Sequence, residues 1–385
     1  MISRQFTATL LVAGTCIGAG MVSLPLKLAK IGVIPSIVMI ILTWLFTYYC
    51  SLIYVELVLH SKHYDTTKSF PLEFSGKKAK WIEDWVIILL SYAGLAAYIN
   101  GCASILRELI CYDNLFLLQT FLTIFIVVLF FFPTNWIKEF NSVAFIIFMA
   151  LLLFILLKMI TRIHFSNIPF IISGHTSEIP GMISLVFVSF GCQLVFYVIK
   201  EYCNNDVVMI QKAFFYGTLI PAILYILWSC TVLSIIYGHN SSFFNNMVTG
   251  DIAVGDLITE LSQCFNFKGL QILVYWIMIF TILTSIIGVG LGLYMTMQKK
   301  LEKKISYARI IAIFITILPP YVISVSVPNA FTVTLQFAGA LLIIISVLMP
   351  TYLYFKAGIE KPRISILSKP ALLFCAIVGI LIMFL

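Results

Sequence analysis

Charged residues are scarce in this chain. Asp, Glu, Lys and Arg together make up 10% of its 385 residues, whereas hydrophobic residues make up 61%. A soluble domain carries roughly 25% charged and 45–50% apolar residues. The shortage of charge therefore excludes an ordinary soluble enzyme. It predicts an all-α integral membrane protein that crosses the bilayer many times, with almost no residues left for a soluble domain.

Motifs for catalysis and metal binding are also missing. The sequence contains no H-E-x-x-H and no G-x-S-x-G, so we expect no enzyme activity. The nine cysteines show no C-x-x-C spacing, and most lie within apolar runs, as small packing residues do. All five histidines fall in connections between apolar runs. We therefore predict neither a metal site nor a cofactor.

Long apolar runs are abundant instead. About 20 apolar residues cross a bilayer as a helix, and eleven runs of this kind occur: residues 3–31, 34–59, 82–110, 115–132, 140–160, 179–201, 210–237, 268–298, 306–325, 328–355 and 366–385. Spans 1–5 and 6–10 form two halves of five, and because five is odd the halves have opposite orientations. We divide the single transmembrane domain, 1–385, into repeat one (1–160), repeat two (161–364) and span 11 (365–385).

Positive charge is distributed unevenly over the connections. With a cytoplasmic N-terminus, the inner connections hold 18 of the 24 Lys and Arg residues and the outer ones hold 6. Because cytoplasmic loops are enriched in these residues, this orientation is favoured, and it places the C-terminus outside. The same distribution explains the net charge of +8 as membrane topology, without a nucleic-acid partner.

Two connections have patterns of their own. Residues 251–260, in the long outer connection before span 8, predict a short amphipathic helix that is either an outer lid or a plain surface segment. Residues 60–80, on the cytoplasmic side, are basic and have the pattern of a helix lying at the membrane interface.

Span 1 contains three glycines within seven residues, Gly14, Gly18 and Gly20. Glycine costs a helix interior roughly 1 kcal/mol relative to alanine. Gly14 and Gly18 satisfy G-x-x-x-G, which lets two membrane helices pack closely. Alternatively, residues 14–20 unwind the helix, and the free backbone groups are then satisfied by protein, water, an ion or a ligand.

A second interruption, Ser189 to Gln193, begins the second repeat with a polar patch inside span 6. Broken helices at matching places in two repeats are typical of secondary transporters, so the pairing favours unwinding in span 1. The half-helix after each break suits a carboxylate, and the carbonyl groups before it suit a cation or an ammonium group.

Span 8 contains two neighbouring hydroxyl residues, Thr284 and Ser285. Their hydroxyls either bond back to their own helix or supply oxygen atoms to a cation site beside the break in span 1. The acidic residues nearest to apolar depth lie towards span ends, so no obvious proton carrier occupies the middle of a span. Rings of polar side chains, which a channel needs, are not visible.

Seven stretches of the chain resemble one family in the same order. GTCIGAGMVSLPL is similar to the first-helix glycine motif of the hydroxy/aromatic amino acid permeases, AAYINGCASIL to their third helix and SFGCQ to their sixth. IPAILYILWSCTVL, LTSIIGVGLGL, ILPPYVI and LQFAGALLIIISVLMP are similar to helices 7 to 10. This family comprises the bacterial tyrosine- and tryptophan-specific permeases of the amino acid–polyamine–organocation superfamily.

The resemblance implies a LeuT-like fold of five-plus-five inverted repeats with eleven transmembrane helices, of which helices 1 and 6 are broken. It also implies import of an aromatic amino acid through the bacterial inner membrane by ion-coupled alternating access. Transport by members of the family is typically driven by the proton motive force. Thr284 and Ser285 resemble the paired hydroxyls of sodium sites in this fold, so sodium is the alternative coupling ion. A non-aromatic amino acid permease and a transport-dead amino acid sensor are the alternatives.

The resemblance also assigns candidate residues for substrate binding. They are Gly14, Thr15, Cys16, Gly18 and Gly20 from span 1, Phe190, Gly191, Cys192 and Gln193 from span 6, and Tyr98, Asn100 and Gly101 from span 3. The expected partners are the amino acid substrate and membrane lipid.

Overall fold

The computed structural model describes residues 4–61, 70–163, 168–192, 196–204, 206–250, 252–264, 268–301, 307–359, 362–364 and 366–384. Within these ranges the chain is helical and contains no strand. The α-helices are α1 (Arg4–Cys16), α2 (Ala19–Leu28), α3 (Val33–His60), α4 (Phe70–Ser75), α5 (Lys77–Ile110), α6 (Leu115–Phe130), α7 (Thr134–Ile160), α8 (Ile179–Ser189), α9 (Phe196–Tyr202), α10 (Val207–His239), α11 (Ser241–Thr249), α12 (Val254–Gln263), α13 (Lys268–Leu301), α14 (Ala308–Ser326), α15 (Ala330–Ile343), α16 (Met349–Lys356) and α17 (Lys369–Phe384).

Several of these helices can cross a membrane. In the described ranges seven are long and apolar enough, or eight if the bent pair α1 and α2 forms one span. Three shorter apolar helices, Leu115–Phe130, Ile179–Ser189 and Lys369–Met383, lie at the predicted spans 4, 6 and 11. The all-helical, multi-pass membrane architecture is therefore confirmed, while the count of eleven spans and the inverted repeat stay predictions.

Large apolar side chains cover the periphery of the molecule. Phe121 of α6 is 64% exposed, Ile146 and Leu157 of α7 are each 68% exposed, and Phe374 of α17 is 66% exposed. Water disfavours so much exposed apolar surface, whereas lipid tails accommodate it. The outer faces of these helices are therefore suited to contact lipid.

The two short helices α2 and α8 pack on each other inside the bundle. The long helix α10 packs along α1, α2 and α3, whereas α5 packs along α13, α14 and α15. Since α13 and α15 also contact α2, the second half of span 1, in predicted repeat one, packs against helices of predicted repeat two.

Span 1 is interrupted at the predicted place. α1 ends at Cys16, α2 begins at Ala19, and the two helices are bent by 53°. Gly18, between them, has an extended backbone (φ −166°, ψ −154°), and its carbonyl accepts a hydrogen bond from the Met21 N–H at 3.1 Å, so it is the residue at which the second helix starts. The glycine-rich stretch therefore breaks the helix, rather than only providing a small-residue face for close packing with another helix.

Span 6 is interrupted as well. α8 ends at Ser189 and α9 begins at Phe196. The N–H of Phe190 donates to the Phe187 carbonyl at 3.0 Å, and the N–H of Cys192 donates to the Phe190 carbonyl at 2.6 Å, so a tight turn follows the helix.

A third irregularity, which the sequence analysis did not predict, divides span 10. A π-helical turn, Ile344–Leu348, lies between α15 and α16. Pro350 follows this turn and has no N–H to donate back to it. Tyr54 of α3 supplies a donor instead, because its hydroxyl donates to the Ile345 carbonyl at 2.8 Å.

The predicted connecting helices are partly present. α12 matches the amphipathic segment 251–260 with a shift of three residues, and Asp251 lies outside the described residues. α12 buries Leu257 and Leu261, and its Gly255 N–H donates to the Ser104 hydroxyl of α5 at 2.9 Å. It is therefore a packed part of the fold rather than a plain surface segment.

The basic segment 60–80 is only partly described, because residues 62–69 lie outside the described residues. Within its described residues, α3 continues to His60, the short helix α4 follows, and α5 begins at Lys77. α4 buries Phe70 against the Tyr54 ring, with the ring centroids 6.2 Å apart. Burial of this aromatic ring fixes α4 to the bundle, so the described part of the segment consists of the ends of two spans and a short helix. The helix α11, in the long outer connection, was not predicted.

Candidate functional site

The last carbonyl groups of α1 and α8 meet at one side chain, Tyr225 of α10. Its hydroxyl oxygen lies 2.7 Å from the carbonyl oxygen of Cys16 and 2.6 Å from that of Ser189. Carbonyl groups at the C-terminal end of a helix have no partner within the helix. Tyr225 is fully buried and lies close to the middle of α10. The two breaks are therefore joined at one point in the interior.

Other residues of the breaks surround this hydroxyl. The Phe190 ring lies edge-on to the Tyr225 ring, with centroids 5.1 Å apart and an interplanar angle of 67°. The thiols of Cys16 and Cys192 lie next to each other. Both thiols and the half-buried Tyr98 of α5 lie near the Tyr225 hydroxyl. Four of the predicted residues are thus brought together around a residue that was not predicted.

Two glycines of span 1 leave space for hydroxyl groups of neighbouring helices. A Cβ atom on Gly20 would lie 2.7 Å from the Ser189 hydroxyl oxygen and 3.1 Å from the Ser189 Cα. A Cβ atom on Gly18 would lie 2.7 Å from the Ser285 hydroxyl oxygen. The start of α2 therefore approaches α8 and α13 through bare backbone.

The two hydroxyl residues of α13 bond back to their own helix. The hydroxyls of Thr284 and Ser285 each donate to the Thr281 carbonyl at 3.0 Å. A hydroxyl oxygen that donates its proton keeps lone pairs that can accept a hydrogen bond or bind a cation. Ser285 faces Gly18 at the break, so the structure places its oxygen beside span 1, and the buried Thr284 is its neighbour in sequence.

Two predicted residues of span 1 lie outside this cluster. Gly14 lies against the ring of Phe145 in α7, where a Cβ atom would be 3.4 Å from the ring. The side chain of Thr15 is exposed, and its hydroxyl donates to the Val12 carbonyl at 2.7 Å. The structure therefore separates these two residues from the point where the breaks meet.

Two predicted residues of span 3 serve another contact. The Asn100 side-chain oxygen accepts a hydrogen bond from the backbone N–H of Phe331, at the start of α15, at 3.3 Å. Gly101 lies directly against the Phe331 ring, without room for a Cβ atom. The structure therefore uses this pair to hold α15 against α5.

The remaining predicted residues of span 6 are at the turn after α8. The Gly191 N–H donates to the Val188 carbonyl at 3.1 Å, which closes the turn. Gln193 lies outside the described residues.

The N-terminal end of α8 is also tied to span 1. The Lys30 ammonium group lies 2.7 Å from both carboxylate oxygens of Glu178, and its side chain is only 7% exposed. Nearby, the Gly32 backbone has φ +86°, and a Cβ atom there would lie 2.8 Å from the Pro169 carbonyl oxygen, so only glycine fits. The two broken spans are therefore held together at their breaks, through Tyr225, and also at the N-terminal end of α8, through the Lys30–Glu178 ion pair.

Sequence reasoning missed Tyr225 as part of the site. A signal for it exists in the stretch ILYILW, where Tyr225 places a hydroxyl inside an otherwise apolar run. A buried tyrosine hydroxyl usually finds a hydrogen-bond partner, and in a membrane that partner is protein, water or a ligand.

Comparison with known proteins gives the same family over the whole chain. The tryptophan/tyrosine permease family matches residues 1–385. The tyrosine-specific transport system 1 of Haemophilus influenzae is 26% identical, covering 92% of this chain and 89% of that protein. The tyrosine-specific transport system 2 of the same organism is 24% identical, covering 99% and 95%. The glutamine transporter 2 of Aliivibrio fischeri is 23% identical, covering 90% and 87%.

Proposed function

The chain belongs to the tryptophan/tyrosine permease family, and from this we propose that it imports an aromatic amino acid, of the tyrosine or tryptophan type, across the bacterial inner membrane. The family confirms the resemblance found in the sequence, and its relatives are transport proteins rather than enzymes. Import is secondary active transport by alternating access, in which the substrate site opens to each side of the membrane in turn.

The proposed architecture is the LeuT-like one, with repeat one at 1–160, repeat two at 161–364 and an eleventh span at 365–385. A described helix or helix pair overlaps each of the eleven predicted runs, which supports this division. The interruptions between α1 and α2 and between α8 and α9 fall in the first span of each proposed repeat. The excess of Lys and Arg in the inner connections supports a cytoplasmic N-terminus and a periplasmic C-terminus.

The observation that carries the proposed function is the meeting of the two breaks at Tyr225. The C-terminal end of a helix has negative polarity, so the carbonyl groups of Cys16 and Ser189 suit the substrate's ammonium group. The N-terminal end of α2 has positive polarity and suits its carboxylate. Phe190 and Tyr98 are the aromatic side chains near this point and suit a ring.

Coupling to protons is the first choice, as expected from the family resemblance, and coupling to sodium is the alternative. Sodium is favoured by the position of Ser285, whose oxygen lies beside Gly18, with Thr284 next to it. Hydroxyl and carbonyl oxygens are suitable ligands for a hard cation.

A non-aromatic substrate is the second candidate function. One relative that covers 90% of this chain is named for glutamine rather than an aromatic amino acid. The backbone groups at the two breaks would meet any amino acid in the same way, so the ring contacts decide between the two candidates.

Transport by purified protein in liposomes tests the proposal. We expect labelled tyrosine or tryptophan to accumulate when a pH gradient, acidic outside, is imposed, and unlabelled aromatic amino acids to compete. Accumulation under a sodium gradient alone would reassign the coupling ion. Competition by glutamine but not by aromatic amino acids would favour the second candidate, and binding without accumulation would indicate a sensor.

A further inference from the structure

We propose that Tyr225 is a positioning residue for the ammonium group of the substrate, an inference that rests on the proposed function and adds a residue of α10 to its site. The juxtaposition behind it is one hydroxyl placed between the last carbonyl groups of two broken helices. Tyr225 thereby acts on both breaks at once.

The numbers of donors and acceptors at this point do not match. A tyrosine hydroxyl has one proton, whereas the carbonyl oxygens of Cys16 and Ser189 both lie within 2.7 Å of it. The hydroxyl can therefore satisfy one carbonyl fully at a time. The other carbonyl and the lone pairs of the tyrosine oxygen are acceptors in a fully buried place.

An ammonium group has the complementary chemistry. It carries three N–H donors and no acceptor. One donor can bind the remaining carbonyl and a second can bind the tyrosine oxygen, while the tyrosine proton stays on the first carbonyl. Hydrogen bonds from a charged donor are about twice as strong as neutral ones, so this arrangement favours a protonated amine over a neutral group.

The position of the Tyr225 hydroxyl is held by packing that does not involve the hydroxyl itself. The Tyr225 ring contacts the Phe190 ring edge-on, and α10 packs along α1. Removing only the hydroxyl therefore leaves the ring in place. The change removes one acceptor for the ammonium group and one donor to the breaks, without opening a large cavity.

The test compares Tyr225→Phe with Tyr92→Phe in the liposome assay. The Tyr92 hydroxyl of α5 also donates to a backbone carbonyl, that of Ile315 at 2.8 Å, but it belongs to neither break. For each protein, KM for tyrosine is measured together with inhibition by 3-(4-hydroxyphenyl)propionate, which has the ring and the carboxylate but no amine.

We expect Tyr225→Phe to raise KM for tyrosine at least tenfold while inhibition by the analogue changes less than twofold. Tyr92→Phe should change neither value by more than twofold. If Tyr225→Phe weakens the binding of tyrosine and of the analogue equally, Tyr225 has only a packing role and the inference is overturned. An unchanged KM for tyrosine would also overturn it. If the phenylalanine variant does not fold, 3,5-difluorotyrosine at position 225 keeps the ring and the hydroxyl but makes its oxygen a poorer acceptor. The same selective loss is expected there, and an unchanged KM would overturn the inference.

Assays of the wild-type protein distinguish a failure of this inference from a failure of the proposed function. If it transports glutamine instead, the same comparison is made with glutamine and its des-amino analogue, because the ammonium group is common to both amino acids. A wild-type transporter with an unaffected Tyr225→Phe variant overturns the inference alone. A wild-type protein that binds no amino acid overturns both.

Discussion

Two buried tyrosines donate to carbonyl groups at helix irregularities, but they serve different numbers of acceptors. The Tyr54 hydroxyl meets one carbonyl, that of Ile345 in the π-helical turn, at 2.8 Å. The Tyr225 hydroxyl meets two, at 2.7 and 2.6 Å. Since buried polar groups normally have partners, the first arrangement is complete without a ligand. The second leaves one acceptor over for a ligand, and this difference separates the irregular helix at Ile345 from the breaks that form the proposed binding site.

The surroundings of the two rings differ in the same way. The Tyr54 ring stacks almost parallel on Phe196, with centroids 4.8 Å apart and an angle of 6°. The Tyr225 ring contacts Phe190 only by an edge, and the glycine backbone at Gly18 and Gly20 lies in the same break. One region is closed by stacked rings, whereas in the other the bare glycine backbone lies close to Ser189 and Ser285.

The largest expected effect comes from closing the space at the break. Gly20→Ala would place a Cβ atom 3.1 Å from the Ser189 Cα and 2.7 Å from its hydroxyl, so α2 and α8 would have to separate. We expect labelled tyrosine uptake to fall more than tenfold, with normal membrane insertion. Gly18→Ala should cost less, because its Cβ atom would meet only the Ser285 side chain, which can rotate.

Gly288→Ala is the matched control for this prediction. Gly288 lies in α13 with nothing within 4 Å of its added Cβ atom. Alanine should leave uptake unchanged and favour the helix by about 1 kcal/mol. Uptake by Gly20→Ala equal to that of Gly288→Ala would show that the close approach at Ser189 is not needed for transport.

The ion pair between the two broken spans should give a smaller effect. Glu178→Gln leaves the largely buried Lys30 ammonium group without its carboxylate, and an unpaired buried charge is destabilising. We expect a several-fold loss of uptake and a lower melting temperature. The double variant Lys30→Gln, Glu178→Gln should recover part of the loss, since it removes both charges. A double variant worse than the sum of the single variants would contradict this account.

The sequence could predict the break in span 1 because its cause is local. Gly14, Gly18 and Gly20 lower helix stability within a few residues of one another, and the extended Gly18 is where the helix stops. The interruption predicted in span 6 rests on an equally local signal, the polar patch that begins at Ser189, and α8 ends at this residue. Helix starts follow from local signals too. The N-cap residue Asp206, for example, accepts a hydrogen bond from the Met209 N–H at 3.0 Å.

The partners of these breaks could not be predicted in the same way, because they are distant in sequence. Tyr225 is 209 residues from Cys16, and nothing in its local pattern shows which carbonyl it meets. Conversely, Asn100 and Gly101 have residue types suited to a polar site, but the Phe331 ring and N–H occupy them. A polar residue in a span indicates a partner, and only the packing of the helices decides whether that partner is another helix or a ligand.

Tyr54→Phe should have the smallest effect and separates the two tyrosines directly. The change removes the donor to the Ile345 carbonyl but keeps the ring on Phe196, so the buried carbonyl loses its side-chain partner at a cost of about 1–3 kcal/mol. We expect a lower melting temperature of the purified protein, while KM for tyrosine stays within twofold of the wild-type value. A selective rise in KM, like that expected for Tyr225→Phe, would show that the π-helical turn also takes part in substrate binding and that counting donors against acceptors does not distinguish a scaffold irregularity from a site.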